Sequence, residues 1–318
     1  MSSAFGALLL RGLDRQIGLT ERCAAAMHAK RHQSSIDHPW RDLLAQRISH
    51  IASGDADGND ANSLRRAPLC KLRVERSPLD PEHDLASAPT FSRLEHSVDR
   101  NDLSRLTQAL VDHCIASDPE PPAALVLDVE HADDPTHGQQ ALTCYNHYYK
   151  NSCDLPLVIF AGTSHALVMA SLRPGTRPTG AEKAMLLSRL LSALRRHWPQ
   201  TPLLVRGDRH GATPEGSEVI AHRRLTAVVF GVAGNAVLLR QAAPLMQAAR
   251  QLPPQRTALA QAHGTRPPAS TRRYEECLSG AASWSQAWRV GLKAAVMPAG
   301  DTPRCVVTSL QAPSPPML

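Results

Sequence analysis

The stretch Leu125–Gln140, LVLDVEHADDPTHGQQ, decides how the chain is read. Leu125-Val126-Leu127 is an apolar run of strand type that delivers Asp128, Val129 and Glu130, with Asp133 and Asp134 close behind. Residues two apart in a strand face the same side, so Asp128 and Glu130 share a face and Val129 turns to the other. Four carboxylates this close repel one another. In a chain with only 20% charged residues, something positive is expected to offset them. Asp133-Asp134-Pro135 reads as a turn out of the strand, because Asp and Pro favour turns.

Downstream, after a long turn, LPLVIFAG (155–162) and HALVMASLRPG (165–175) read as two strands joined by Thr163-Ser164, a hairpin. Ala181 to Trp198 reads as a helix, with Leu187, Leu190, Leu191, Leu194 and Trp198 on one face and Pro199 as its stop. TPLLVRGD (201–208) is a buried-type strand ending on Asp208. Residues 214–224 are helical in pattern, 226–233 a strand and 240–251 a helix, followed by a Pro-, Gln- and Thr-rich connection. Three strands in antiparallel succession, then strands reached by helical crossovers, make a mixed sheet. That order is the order of a ribonuclease H-like α/β core, in which the first and fourth strands lie side by side.

Upstream the pattern is helical. FGALLLRGLDRQIGL and WRDLLAQRISHIAS carry apolar residues at three- and four-residue spacings, and SGDADGND (53–60) is a polar loop lacking the closing Glu of a calcium loop. SRLEHSVDRNDLSRLTQALVDHC reads as one helical stretch whose Ser92…Glu95 has the form of a capping box. DPEPPA (118–123) is a Pro-rich boundary. The expected organisation is a helical region over 1–118, the α/β core over 123–251, a mostly β segment over 252–310 and an atypical tail over 311–318.

Composition narrows the class. With 318 residues and 42% hydrophobic content the chain can bury at least one sizeable core. No apolar run reaches the roughly 18 residues of a membrane span, and no secretory leader is evident, so no membrane partner is expected. Seven cysteines without a C-x-x-C pair form no zinc ribbon or disulfide framework, which points to the reducing cytoplasm. The net charge of +6 is uneven. Residues 1–120 carry 15 Lys+Arg against 17 Asp+Glu, and residues 121–318 carry 20 against 12. Arg dominates the cations, and its planar fork suits phosphates, so a polyanionic partner is plausible on charge.

If the first and fourth strands are neighbours, Asp128, Glu130 and Asp208 converge from two strand ends. Carboxylates so placed are suited to Mg²⁺, a hard ion that takes oxygen ligands. A pair of such ions serves phosphodiester transfer. His131, His137 and His147 have no spacing that gathers them on one face and read as exposed or core histidines. Gly231–Asn235 lacks the Lys-Ser/Thr of a phosphate-binding loop. Trp284 and Trp288, four apart, read as core, with DNA stacking the alternative.

These segments resemble the DDE transposases of bacterial insertion sequences. The branch most similar carries D-x-D-A-T-D-D-P-x-H-G-Q-Q, here running from Asp128 to Gln140 with Glu130 in place of the second Asp. YNHYYKNSCDLPLVIFAG, LRPG (172–175) and LLVRGDRHG (203–211) follow in the family's order, as do SWSQAWRV (283–290) and TPRCVVTSL (302–310). The resemblance implies a helical DNA-binding region, a ribonuclease H-like core and a mostly β insertion. It also implies cleavage and strand transfer at terminal inverted repeats of double-stranded DNA, by a homodimer using Mg²⁺, for which Mn²⁺ can substitute, in the bacterial cytoplasm at the nucleoid. Asp128 with Glu130, and Asp208, take the places of the first and second acids, as catalytic residues and metal ligands. The family's third acid belongs on a helix after VVTSL. This sequence instead reads QAPSPPML to Leu318 and has the look of a truncated copy with impaired catalysis. The alternative is a non-catalytic DNA-binding remnant that inhibits an intact copy or has no function, and another metal-dependent nuclease on the same fold also stays open.

Overall fold

A computed structural model describes residues 6–28, 36–80, 82–138, 140, 143–209, 211–263, 271–280, 284–297 and 300–310. The expected tail over 311–318 lies outside the described residues. The chain divides into two compact units, one of residues 1–119 with 168–172, the other of residues 120–167 with 173–318.

The first unit is helical: α1 (Ala7–Ile17), α2 (Leu19–Ala26), α3 (Trp40–Ala52), α4 (Asp60–Leu64), α5 (Pro68–Arg73), α6 (Ala88–Ser97) and α7 (Arg100–Ser117). Gly18, at φ 66°, ends α1 and opens α2, a conformation that carries little cost only without a Cβ. Leu43, Phe91, Leu94 and Ala86 form one apolar cluster, and Cys70, Val74, Leu85 and Ala45 a second. The buried Gln46 side chain bridges to the Ala86 backbone, donating to its carbonyl and accepting from its N–H, both at 3.0 Å. The arginines of this unit are largely engaged with its own acids. Glu75 pairs with Arg11, Arg15 and Arg41, and Asp84 with Arg65, Arg66 and Lys71.

The single helical stretch expected over 92–114 is two helices. The break falls at Val98, and the capping box belongs to Asp99 and Asp102 at the start of α7 rather than to Ser92 and Glu95, which lie inside α6. Pro89 in the first turn fixes the earlier start of α6.

The second unit is built on a mixed sheet. The elements after residue 120 are β1 (Leu125–His131), β2 (Asp134–Pro135), β3 (Cys144–Asn146), β4 (Asn151–Asp154), β5 (Leu157–Ala161), β6 (Leu167–Ser171, whose residues from 168 on are counted with the first unit), α8 (Gly180–His197), β7 (Leu203–Gly207), α9 (Pro214–Ala221), β8 (Thr226–Val232), α10 (Ala236–Ala262), β9 (Thr271–Ser279), β10 (Trp288–Met297) and β11 (Gly300–Thr308). The strand order is β6-β5-β1-β7-β8-β11-β10-β9. Strand β1 runs antiparallel to β5 and parallel to β7, and β7 parallel to β8. That is the arrangement expected of a ribonuclease H-like core.

Alternation carries one face of this sheet into the interior. Leu125, Leu127 and Val129 of β1, Leu157, Ile159 and Ala161 of β5, Leu203 and Val205 of β7, and Val228 and Phe230 of β8 are all buried. On α8, Leu187, Leu190, Leu191 and Leu194, and Trp198 at its C-cap, are buried as the spacing expects. The helix opens on a capping box in which the Thr179 hydroxyl accepts from the Glu182 N–H at 3.2 Å and the Glu182 carboxylate accepts from the Thr179 N–H at 2.7 Å.

Two expectations change here. Asp134-Pro135 is not a turn but a two-residue edge strand paired with Cys153 and Asp154, a place where Pro costs no ladder hydrogen bond. The long connection it starts is a three-stranded sheet, β2-β4-β3. The helix expected over 240–251 runs on to Ala262. Strands β9, β10 and β11 then extend the main sheet, because β11 pairs antiparallel with β8 through Val229–Val232 and Cys305–Thr308. Trp288 is buried in β10, as read from the sequence.

Candidate active site

The parallel pairing of β1 with β7 sets Asp128 opposite Arg206. Two residues further along each strand direction come Glu130 and Asp208, so period-2 geometry directs all four side chains to the sheet face away from the core. They line an open cavity of about 650 Å³, together with Phe160 and His165. Phe160 is the neighbour of Asp128 on β5, so Phe160, Asp128 and Arg206 form one row across three strands.

Arg206 answers the charge problem of the first stretch. Its Nε donates to Asp128 Oδ1 at 2.5 Å and its Nη2 to Oδ2 at 2.6 Å, a two-pronged pair of the strong, planar kind. The pair sits over Gly162. A Cβ there would lie 2.8 Å from Asp128 Oδ2, 3.0 Å from Val126 Cγ1 and 3.1 Å from Arg206 Nη2, so glycine is the residue that leaves the pair its room. The bond with Asp128 also raises the Arg206 guanidinium above its ordinary range. Glu130 is shifted upward by burial first, then by the charges of Asp208 and Asp128. These acids therefore act on one another.

The exit from β7 is shaped by packing below it. Gly207 and Gly211 both rest on the buried Phe230 ring, with a Cβ at either place 3.3 and 3.1 Å from ring carbons. The Gly211 N–H donates to the Asp208 carbonyl at 2.9 Å and closes the turn that carries Asp208. Beyond the cavity rim, Lys183 of α8 is buried, and desolvation first and Arg177 second lower it to about 8, with Asp208 opposing.

Asp133 and Asp134 lie apart from this group. Asp133 accepts from Asn151 Nδ2 at 3.2 Å, and Asp134 belongs to the edge of the small sheet. Sequence reasoning passed over Arg206, Phe160 and His165. Arg206 had a usable signal, since it precedes Asp208 by two residues and must share its face. His165 owes its place to a backbone at φ 58° in the β5–β6 turn, where its N–H donates to the Ala161 carbonyl at 2.7 Å.

The donor set suits a hard cation, for it is made of carboxylate oxygens, and Glu130 among them is raised by burial first and then by its acidic neighbours. Among the described residues, however, no group of three or more His, Cys, Asp or Glu side chains is drawn close enough to hold a metal ion. Both oxygens of Asp128 are held by Arg206. Among the described residues no helix is long and apolar enough to cross a membrane.

A helical unit and a mixed sheet with acids at the ends of adjacent strands fit a transposase domain of the DDE class, a family that generally uses divalent metal ions. The chain matches the family Transposase DDE domain group 1 over residues 1–318 and belongs to it. No relative was found among curated proteins. Among solved structures the chain is similar to the piggyBac transposase in a synaptic complex with hairpin DNA, at TM-score 0.46 and 11% identity, over 99% of this chain and 62% of that one. It thus spans less than two thirds of that protein.

Proposed function

We propose that this chain acts in DNA transposition by binding double-stranded DNA at the terminal inverted repeats of a bacterial insertion sequence and cutting and joining strands there, as a homodimer at the nucleoid. Asp128 and Asp208 hold Mg²⁺, or Mn²⁺ in its place, and Glu130 assists Asp128. The observation that carries the reading is the convergence of these carboxylates from β1 and β7 on one open sheet face. When bound, the metal supplies an activated water or 3′-hydroxyl and stabilises the leaving oxygen of the phosphodiester. The protein's part is to present the acids from rigid strands and to hold Asp128 oriented through Arg206. The basic residues of 121–318 attract the phosphate backbone.

One observation favours a second reading, a DNA-binding protein without chemistry: Asp128 is fully engaged by Arg206. The two readings separate on labelled DNA carrying the element's inverted repeats. Mg²⁺- or Mn²⁺-dependent cleavage lost in Asp128→Ala and Asp208→Ala supports the catalytic reading. Repeat-preferring binding that survives both substitutions, with no cleaved product from the parent chain, establishes the second.

A further inference from the structure

The chain has four tyrosines, and three of them lie on one hairpin, Tyr145 in β3 and Tyr148 and Tyr149 in the turn between β3 and β4. They are 55%, 70% and 39% exposed, an unusual use of aromatics in a chain that has so few. The tip is firmly built. The Asn146 side chain accepts from the N–H groups of Tyr148 at 2.9 Å and Tyr149 at 3.2 Å, and its amide donates to the Gly175 carbonyl at 2.7 Å. Lys150 closes the turn at φ 57°, its N–H donating to the Asn146 carbonyl at 2.8 Å. Gly175 itself is wedged against the Cys144 and Cys153 carbonyls, where a Cβ would lie at 2.7 and 2.1 Å, so only glycine allows this anchoring.

The rings are arranged edge to face. Tyr145 and His147 stand at 5.2 Å and 81°, Tyr148 and Tyr149 at 5.0 Å and 88°. In such a pair the ring that offers its edge keeps both of its own faces open to another partner. The hairpin is tied to the chain leaving β1, since Asn151 at its base donates to the Asp133 carboxylate at 3.2 Å, three residues after Glu130. Stacking on open aromatic faces is how proteins hold bases that have left the duplex, and it tolerates any base because every base has a π face. A paired base has its faces covered by its neighbours, so a duplex interior has nothing to offer these rings.

We propose that the Tyr145–Tyr149 tip is a stacking platform for unpaired nucleotides of the DNA strand that the acidic site acts on. This rests on the function proposed above, and Lys150 supplies a cation for the accompanying phosphates. The partner is a single-stranded segment next to a duplex end, such as a nicked or frayed terminus.

The test uses the full chain and fluorescein-labelled duplexes of arbitrary sequence, blunt or carrying a short single-stranded tail, followed by anisotropy. Wild type is expected to favour the tailed duplex. Tyr145→Ala with Tyr148→Ala should remove that preference, a loss of roughly 5- to 100-fold for the tailed probe with little change for the blunt one. Tyr145→Phe with Tyr148→Phe, which keeps the rings, should retain it, and an abasic tail should mimic the alanine variant. The proposal is overturned by equal affinity of wild type for both probes, by an alanine variant that keeps the preference, or by one that changes oligomeric mass instead of DNA affinity. Cleavage of inverted-repeat DNA is read separately. Its absence with an intact tail preference removes only the catalytic reading, and its presence without a tail effect removes only the platform.

Discussion

Asp128 and Arg206 face each other across the parallel strands β1 and β7 and close a two-pronged ion pair over the bare Cα of Gly162. The pair joins the acid most central to the proposed site to the cation that competes for its oxygens. If Asp128 holds a metal as proposed, Arg206 competes for the same two oxygens.

Arg206→Gln should release the Asp128 carboxylate. Because the pair is partly exposed, the change in stability is expected to stay within about 1 kcal/mol. Mn²⁺ affinity, followed by isothermal calorimetry, should rise several-fold. Unchanged affinity would show that Asp128 is not a ligand or that Arg206 does not compete for it.

Gly162→Ala should force the pair apart, with an expected cost of about 1–3 kcal/mol in urea unfolding. Since part of the crowding comes from Asp128 Oδ2, the cost should shrink when Gly162→Ala is placed in an Asp128→Ala background. Equal costs in both backgrounds would mean that Val126 rather than the ion pair meets the new methyl group.

Phe230 should matter to the exit of β7 as much as to the core. Phe230→Ala is expected to cost about 3–5 kcal/mol, and Phe230→Leu much less. In the leucine variant, hydrogen exchange should quicken at the Gly211 amide, whose bond to Asp208 forms the turn above the ring. An unchanged Gly211 amide would free the Asp208 turn from dependence on that ring.

Lys183 predicts a stability slope in alkali. Burial lowers its folded-state pKa to about 8 from 10.5, so between these values the unfolded chain binds more protons than the folded one. Stability from this group should rise as pH climbs through that window, by roughly 1–3 kcal/mol. Below about pH 8 the cost of the buried charge is present in full. Lys183→Met should flatten the slope in thermal melts run from pH 8 to 10, and parallel slopes in both proteins would remove Lys183 as its source.

Much of the fold was open to reading because its signals are local. Alternation in 125–130 put Asp128 and Glu130 on one face and Val129 on the other, and the three- and four-residue spacing of leucines in α8 named its buried face. The same locality explains the errors. A helical spacing runs through residues 92–114, yet the chain breaks at Val98 because Asp99 and Asp102 satisfy the first N–H groups of a new helix. Asp134-Pro135 has turn composition, and it became strand because β4 offered an edge.

The sequence by itself determined the alternation of the strands, the shared face of Asp128 and Glu130 and the resemblance to DDE transposases, which the family match bears out. The tertiary structure alone decided what those acids meet. That Arg206 rather than another cation holds Asp128, that Gly162 leaves room for both, and that β11 extends the sheet beyond β8 all depend on register between segments far apart in the chain. Side-chain periodicity is a property of one strand, whereas the partner across the ladder is chosen by the packing of the whole sheet.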